Sequence, residues 1–245
     1  VEHLAPGNAP PNQRRIADFR QRSFVQPSGS ANPFRFLNPK EDPMTETSQR
    51  PALRSQRLNQ ITHAPHERLD KAVKANAPFE TLASYTRFLT AQYLFQEELK
   101  ALYTDPQLTQ IVPDLPERCR AEQARADLID LQTPIPEPVK GAVQDPSVAE
   151  ALGWLFVSEG SKLGAAFLIK RAVALDLSDS FGARHLGEPT GGRADGWKRF
   201  IRTLDDLPFS ADQEQQIDKG ALAAFQRFNE LLDHAYSAAA EPVTA

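Results

Sequence analysis

Residues 149–175 read AEALGWLFVSEGSKLGAAFLIKRAVAL, a run that is apolar on nearly every side when wound as a helix. Such a helix has to be covered by other elements, so it forms the centre of whatever this chain folds into. Ser147 and Glu150 have capping-box spacing ahead of it. The cover comes from helical patterns on both sides. Pro51 suits the first turn of a helix in which Leu53, Arg57, Ile61, Leu69 and Val73 recur in helical steps. Leu82, Tyr85, Phe88, Leu89, Phe95, Leu99 and Leu102 mark a second helix, and Pro116 opens a third with Ala121, Ala124, Leu128 and Leu131 as its stripe. Pro134 and Pro136 lie in a loop, and the glycine-rich GARHLGEPTGGRADG is a longer one. Trp197, Phe200, Ile201 and Leu204 mark another helix, and Ser210 caps a last one carrying Ile217, Phe225, Phe228, Leu231 and Leu232. No alternating strand pattern competes, so the expected fold is all-α, a multi-helix domain at 44–245 whose helical pattern runs to about Ala240.

The first 43 residues differ. They hold seven of the twenty prolines among Gly, Ser, Asn and Gln, with no lasting periodicity, and are expected to be a flexible N-terminal extension. Met44, the single methionine, stands at the change in composition and reads as the natural start. One cysteine, Cys119, excludes an internal disulfide framework and a cysteine-held zinc or iron–sulfur centre within one chain. A net charge of −4 carries no signature of nucleic-acid or membrane partners. No stretch approaches about 18 uninterrupted apolar residues and no signal peptide opens the chain, so a cytoplasmic protein is expected. P-loop, GxGxxG, HExxH and GxSxG motifs are absent.

Chemistry therefore rests on less common features. ITHAPHERLD, residues 61–70, places His63 and His66 three residues apart. Together they could chelate a metal, yet further ligands would be needed and no ExxH motif supplies them. One could serve alone, or both could be plain surface or packed residues. His66 shares the apolar face with Thr62, Leu69 and Val73, whereas His63 turns toward the polar side. Asp70 follows His66 at i+4, where a carboxylate can accept from the ring and set its tautomer. In the long apolar helix, Gly160 and Gly164 leave one face bare for a full turn. Mid-helix glycine costs about 1 kcal/mol relative to alanine, which fits either close packing of a neighbouring backbone or the approach of a flat ligand.

LNQITHAPHERLD and GWLFVSEGSKLGAAFLIKR, with FGARHL and GGRADGWKRF, resemble the heme oxygenase family, in particular its bacterial iron-acquisition branch, over about Leu53 to Tyr236. The resemblance implies a heme sandwiched between a proximal and a kinked distal helix. His66 is then the axial ligand of the heme iron, Asp70 its acidic partner, and Gly160 and Gly164 the distal glycines facing the oxygen site. Asn59, Lys74, Phe156 and Arg171 match residues that seat the rotated heme of that branch; Arg171 departs from the usual lysine, which leaves the regiochemistry open. Phe156 and Phe225 line the pocket or belong to the core. His63 has no part.

The reaction implied is O2-dependent cleavage of heme, at once substrate and cofactor, to biliverdin with release of iron and carbon monoxide. Electrons come from an external reductase or ferredoxin. The implied role is iron acquisition, with cleavage at the β or δ carbon left open by Arg171. The alternatives are an α-specific enzyme supplying bilin to a phytochrome or other bilin acceptor, and a heme-binding carrier or sensor without turnover.

Overall fold

A computed structural model describes residues 53–138, 141 and 143–237; the expectations for residues 1–43, Met44, Pro51 and Ala240 lie outside them. The order is α1 (Arg54–Ala75), α2 (Leu82–Tyr103), α3 (Pro106–Ile111), α4 (Ala121–Asp130), α5 (Val148–Ala172), α6 (Arg193–Asp206) and α7 (Ala211–Ser237), with short 3-10 turns between some of them. Among the described residues there is no strand, so the all-α expectation holds.

α5 is the apolar run, and it is central. Ser147 caps it, its hydroxyl accepting from the Glu150 amide at 3.2 Å, while the Glu150 carboxylate turns to Lys219 at 3.1 Å. With the turn that extends it, Val148–Leu175 is long and apolar enough by length and composition to cross a membrane, but half of that stretch is buried inside the protein. Leu152, Trp154 and Leu155 are almost fully enclosed. This is the profile of a core helix.

The tightest packing joins α5 to α7, and glycine makes it possible. A Cβ at Gly153 would lie 2.1 Å from the Ile217 carbonyl oxygen, and one at Gly220 would lie 2.1 Å from that of Glu150. Two backbones are in contact there, and no side-chain rotation can relieve an added methyl. Alanine at Gly153 gains about 1 kcal/mol of helix propensity. Separating the helices costs more, near the upper end of the roughly 1–3 kcal/mol typical of overpacking. Gly153→Ala should thus lower stability by about 2 kcal/mol net and the melting temperature by about 4–8 °C, measured by thermal denaturation; an unchanged melting temperature would show that the helices can part freely.

α1 is fastened at its start by charge rather than by its apolar stripe. The buried Arg54 guanidinium donates to Glu214 at 2.6 Å and to the Leu207 carbonyl at 2.8 Å. Arg57, expected on the apolar face, donates to the same Glu214 at 2.6 Å and approaches Asp218 at 3.0 Å. Ser55 binds Asp205 through its amide and hydroxyl, both at 2.7 Å. These bonds tie the first turn of α1 to the end of α6 and the start of α7. The helix then continues through Pro65, which a helix interior seldom tolerates. α2 packs across α7 through Phe95 and Phe228, whose rings meet edge to face at 5.4 Å, and through the Glu98–Arg227 pair.

Two expectations need correction, and one helix was missed. Pro116 does not open a long helix: Pro116–Arg118 is a single 3-10 turn, Cys119 leaves it in an extended conformation, and α4 starts at Ala121. α3 was not foreseen; Pro106 takes its first turn and Asp105 caps it, accepting from the amides of Gln107 and Leu108 at 2.8 and 2.9 Å. The segment GARHLGEPTGGRADG is not loop throughout. Its Arg184–Leu186 forms a 3-10 turn, held because buried Asp127 accepts from the amides of Arg184 and His185 and contacts the His185 ring at 2.8 Å. Gly191 and Gly192 then take φ of 84° and 81°, the left-handed region that favours glycine, and α6 starts at Arg193.

Candidate functional site

α6 and α7 each pack against both α1 and α5. α1 and α5, which bear every candidate residue but Phe225 of α7, therefore rest on the same pair of supports. On α1, the two histidines have different surroundings. His63 is 73% exposed and lies 4.0 Å from Glu67, one turn on. His66 is half-buried, and its ring meets Phe225 of α7 at 5.7 Å and 84°, an edge-to-face contact. Burial lowers the His66 pKa below the ordinary histidine value, the nearby Asp70 carboxylate opposing and His63 assisting. The imidazole is thus neutral at neutral pH, the form that can offer a lone pair to iron. Asp70 itself accepts from Lys74 at 2.6 Å.

On α5, Phe156 and Gly160 stand one turn apart and face the same side chain. The Phe156 ring lies 5.4 Å from that of Trp197 on α6, and Trp197 stacks on Phe200 at 6.0 Å. A Cβ at Gly160 would meet the indole edge at 3.4 Å, ordinary van der Waals contact. Gly160 therefore borders an aromatic wall and does not admit a neighbouring backbone. Gly164 is buried. Of the remaining candidates, Asn59 and Lys74 are exposed, Phe156 and Phe225 are buried, and exposed Arg171 rests its guanidinium on the Phe79 ring, 4.8 Å from its centroid. The structure thus brings His66 to Phe225, Lys74 to Asp70, and Phe156 and Gly160 to Trp197.

Sequence reasoning missed a polar cluster beside the glycines. Glu159, 3% exposed, accepts from the Tyr103 hydroxyl at 2.9 Å, from Arg118 at 3.0 Å and from Lys162. Ser158, the residue before it, contacts the Tyr103 hydroxyl at 2.7 Å and accepts from Gln96 at 3.1 Å. Lys162 also donates to the Arg118 carbonyl at 2.7 Å. Burial pushes the Lys162 ammonium down and the Tyr103 phenol well up, so the phenol stays a donor. The available signal was Glu159 and Lys162 at i and i+3, a charged pair inside an otherwise apolar helix.

The donor set fits heme. A neutral, half-buried imidazole on one helix and a glycine without a side chain on another are suited to an axial ligand and to close approach of a flat macrocycle. Comparison with known proteins agrees. Residues 53–234 match the heme oxygenase family. The chain is 51% identical over 197 residues to heme oxygenase PigA of Pseudomonas aeruginosa, an alignment spanning 80% of this chain and 100% of that protein. Its fold matches the NO- and CO-bound heme oxygenase of Neisseria meningitidis with a TM-score of 0.70 and 33% identity, covering 79% of this chain and 98% of that one. Heme oxygenase 2 of Chlamydomonas reinhardtii, determined without heme, shares the fold at a TM-score of 0.60 and 16% identity, covering 79% and 99% of the two chains. Sequence identity over a whole relative, a family match across the described helices and a common fold together make this chain a member of the heme oxygenase family, an enzyme that degrades heme.

Proposed function

We propose that this chain cleaves heme to biliverdin, releasing iron and carbon monoxide, with O2 as oxidant, electrons from an external reductase or ferredoxin, and iron acquisition as its role. The observation that carries the reading is His66: a neutral imidazole, half-buried on α1 and braced edge-on by Phe225. Heme, as substrate, supplies both the redox-active iron and the ring that is oxidised.

The protein's part is to bind and orient. His66 supplies the axial nitrogen, and Phe225 restrains the imidazole plane. Asp70 adds a negative charge one turn away that favours electron donation by the ring. Gly160 and Gly164 would present backbone to the other face of the heme, and Trp197, against Gly160 and the Phe156 ring, would give that face an apolar wall. The heme propionates are anionic and need cations at the pocket edge. Lys74 uses one of its three N–H donors on Asp70 and keeps others for a carboxylate. Arg171 adds a second cation, and Asn59 is exposed near the start of the same helix as Lys74. These residues support a rotated seating and cleavage at the β or δ carbon.

The test is an optical titration with hemin, then ascorbate or a reductase under air with catalase present, and chromatography of the bilin. The expected result is a Soret band, its loss on reduction, and a β or δ isomer. The α isomer would overturn the regiochemistry and favour bilin supply. Stoichiometric binding without turnover by competent donors would favour a carrier or sensor, and no binding by the folded protein would overturn the assignment of His66.

A further inference from the structure

Past Gly160 the apolar support of α5 thins, although Ala165 and Ala172 stay buried and Leu168 and Ile169 pack on the core. Residues 149 and 151–156 are buried, whereas Ser161, Phe167 and Lys170 are exposed and several of their neighbours only half-covered. Glycine at 160 and 164 removes side chains that would otherwise hold the helix laterally. The polar side chains of residues 158, 159 and 162 described above add to the lateral hold there.

These bonds close a ring. Arg118 Nη1 donates to Glu159 Oε2 at 3.0 Å and also to the Gly196 carbonyl at 3.2 Å. Its other terminal nitrogen donates to Asp114 at 2.8 Å, which fixes the guanidinium from a third side. Gly196 precedes Trp197, whose indole edge lies against Gly160, the residue after Glu159. One guanidinium therefore holds α5 at residue 159 and α6 at residue 196, and the next residue of each helix faces the other across the distal wall. A planar donor fork fixes two acceptors in direction as well as distance, which an ammonium cannot do.

We propose that the Glu159–Arg118 pair is the positioning element of the distal wall, setting the gap between Gly160 and the Trp197 indole and so the room left over the heme. Its importance to heme rests on the proposed function, but the gap itself exists in the heme-free protein and can be measured there. Neither residue is assigned contact with heme. They act through the backbone of α5 and α6.

The chain has two tryptophans, Trp154 and Trp197, so 5-fluorotryptophan labelling gives two 19F resonances, and Trp197→Phe identifies which is which. In heme-free Glu159→Gln and Arg118→Lys, the Trp197 resonance should shift and gain sensitivity to exchange of H2O for D2O, while that of buried Trp154 stays in place. In the hemin-loaded, CO-bound protein the C–O stretching band should broaden or split in the same variants. A Trp197 resonance unmoved in both variants, each folded by circular dichroism, would overturn the proposal. So would a lowered melting temperature with both resonances displaced alike, the mark of general loosening. Should the parent protein bind no hemin, the proposed function falls, and the 19F result still decides the gap.

Discussion

Replacing His66 with alanine is expected to abolish the parent's axial ligation and reduce bilin formation by well over 100-fold. Loss of an outer partner of a metal ligand typically costs about 10–100-fold in metal affinity or activity, and removing the ligand itself must exceed that. The fold should survive the change, because the imidazole is only half-buried and its edge contact with Phe225 is worth on the order of 1 kcal/mol. The variant then has an imidazole-shaped space beside Phe225, and added imidazole should restore part of the ligand spectrum. His63→Ala is the matched control: that ring is mostly exposed and points to Glu67, so spectrum and turnover should stay as in the parent. Undiminished turnover by His66→Ala with an unchanged Soret band would show the wrong histidine had been chosen.

The helices were legible because burial leaves a pattern in long segments. α5 is apolar on nearly every side and α7 carries aromatic and aliphatic residues at helical spacing, and both stand where expected. α3 escaped because six residues are too short to show a period. Pro116 misled because proline suits the first turn of a 3-10 turn as well as that of a helix. In the site, His66 and His63 could be told apart from helical phase alone, since Thr62, Leu69 and Val73 mark the covered face. Contacts across elements left no such trace. Nothing in the spacing of Gly160 and Trp197 says that they touch, and Arg118 gives no local sign that it joins Glu159 to Gly196. Glycines were visible as glycines, but not their partners: Gly153, which reads as one small residue in an apolar run, is pressed against a backbone, as Gly220 is.

That difference separates packing from function at Gly160. Were Gly160 present to admit a neighbouring helix, as Gly153 is, alanine there would destabilise the fold. Its Cβ would instead sit 3.4 Å from the Trp197 edge, where contact is ordinary. Gly160→Ala should therefore keep or raise stability, by up to about 1 kcal/mol from helix propensity. Gly160→Leu is the functional test. Its longer side chain must displace the indole or project into the space proposed for heme and oxygen, and bilin yield should fall at least tenfold, equivalent to about 1.4 kcal/mol in barrier. Melting curves, hemin affinity and single-turnover bilin yield measured on both variants separate the cases. A stable Gly160→Ala together with a Gly160→Leu that binds hemin but makes little bilin places the glycine at the reacting face. Unaltered bilin yield in Gly160→Leu would remove Gly160 from the oxygen site and leave it as a seat for Trp197.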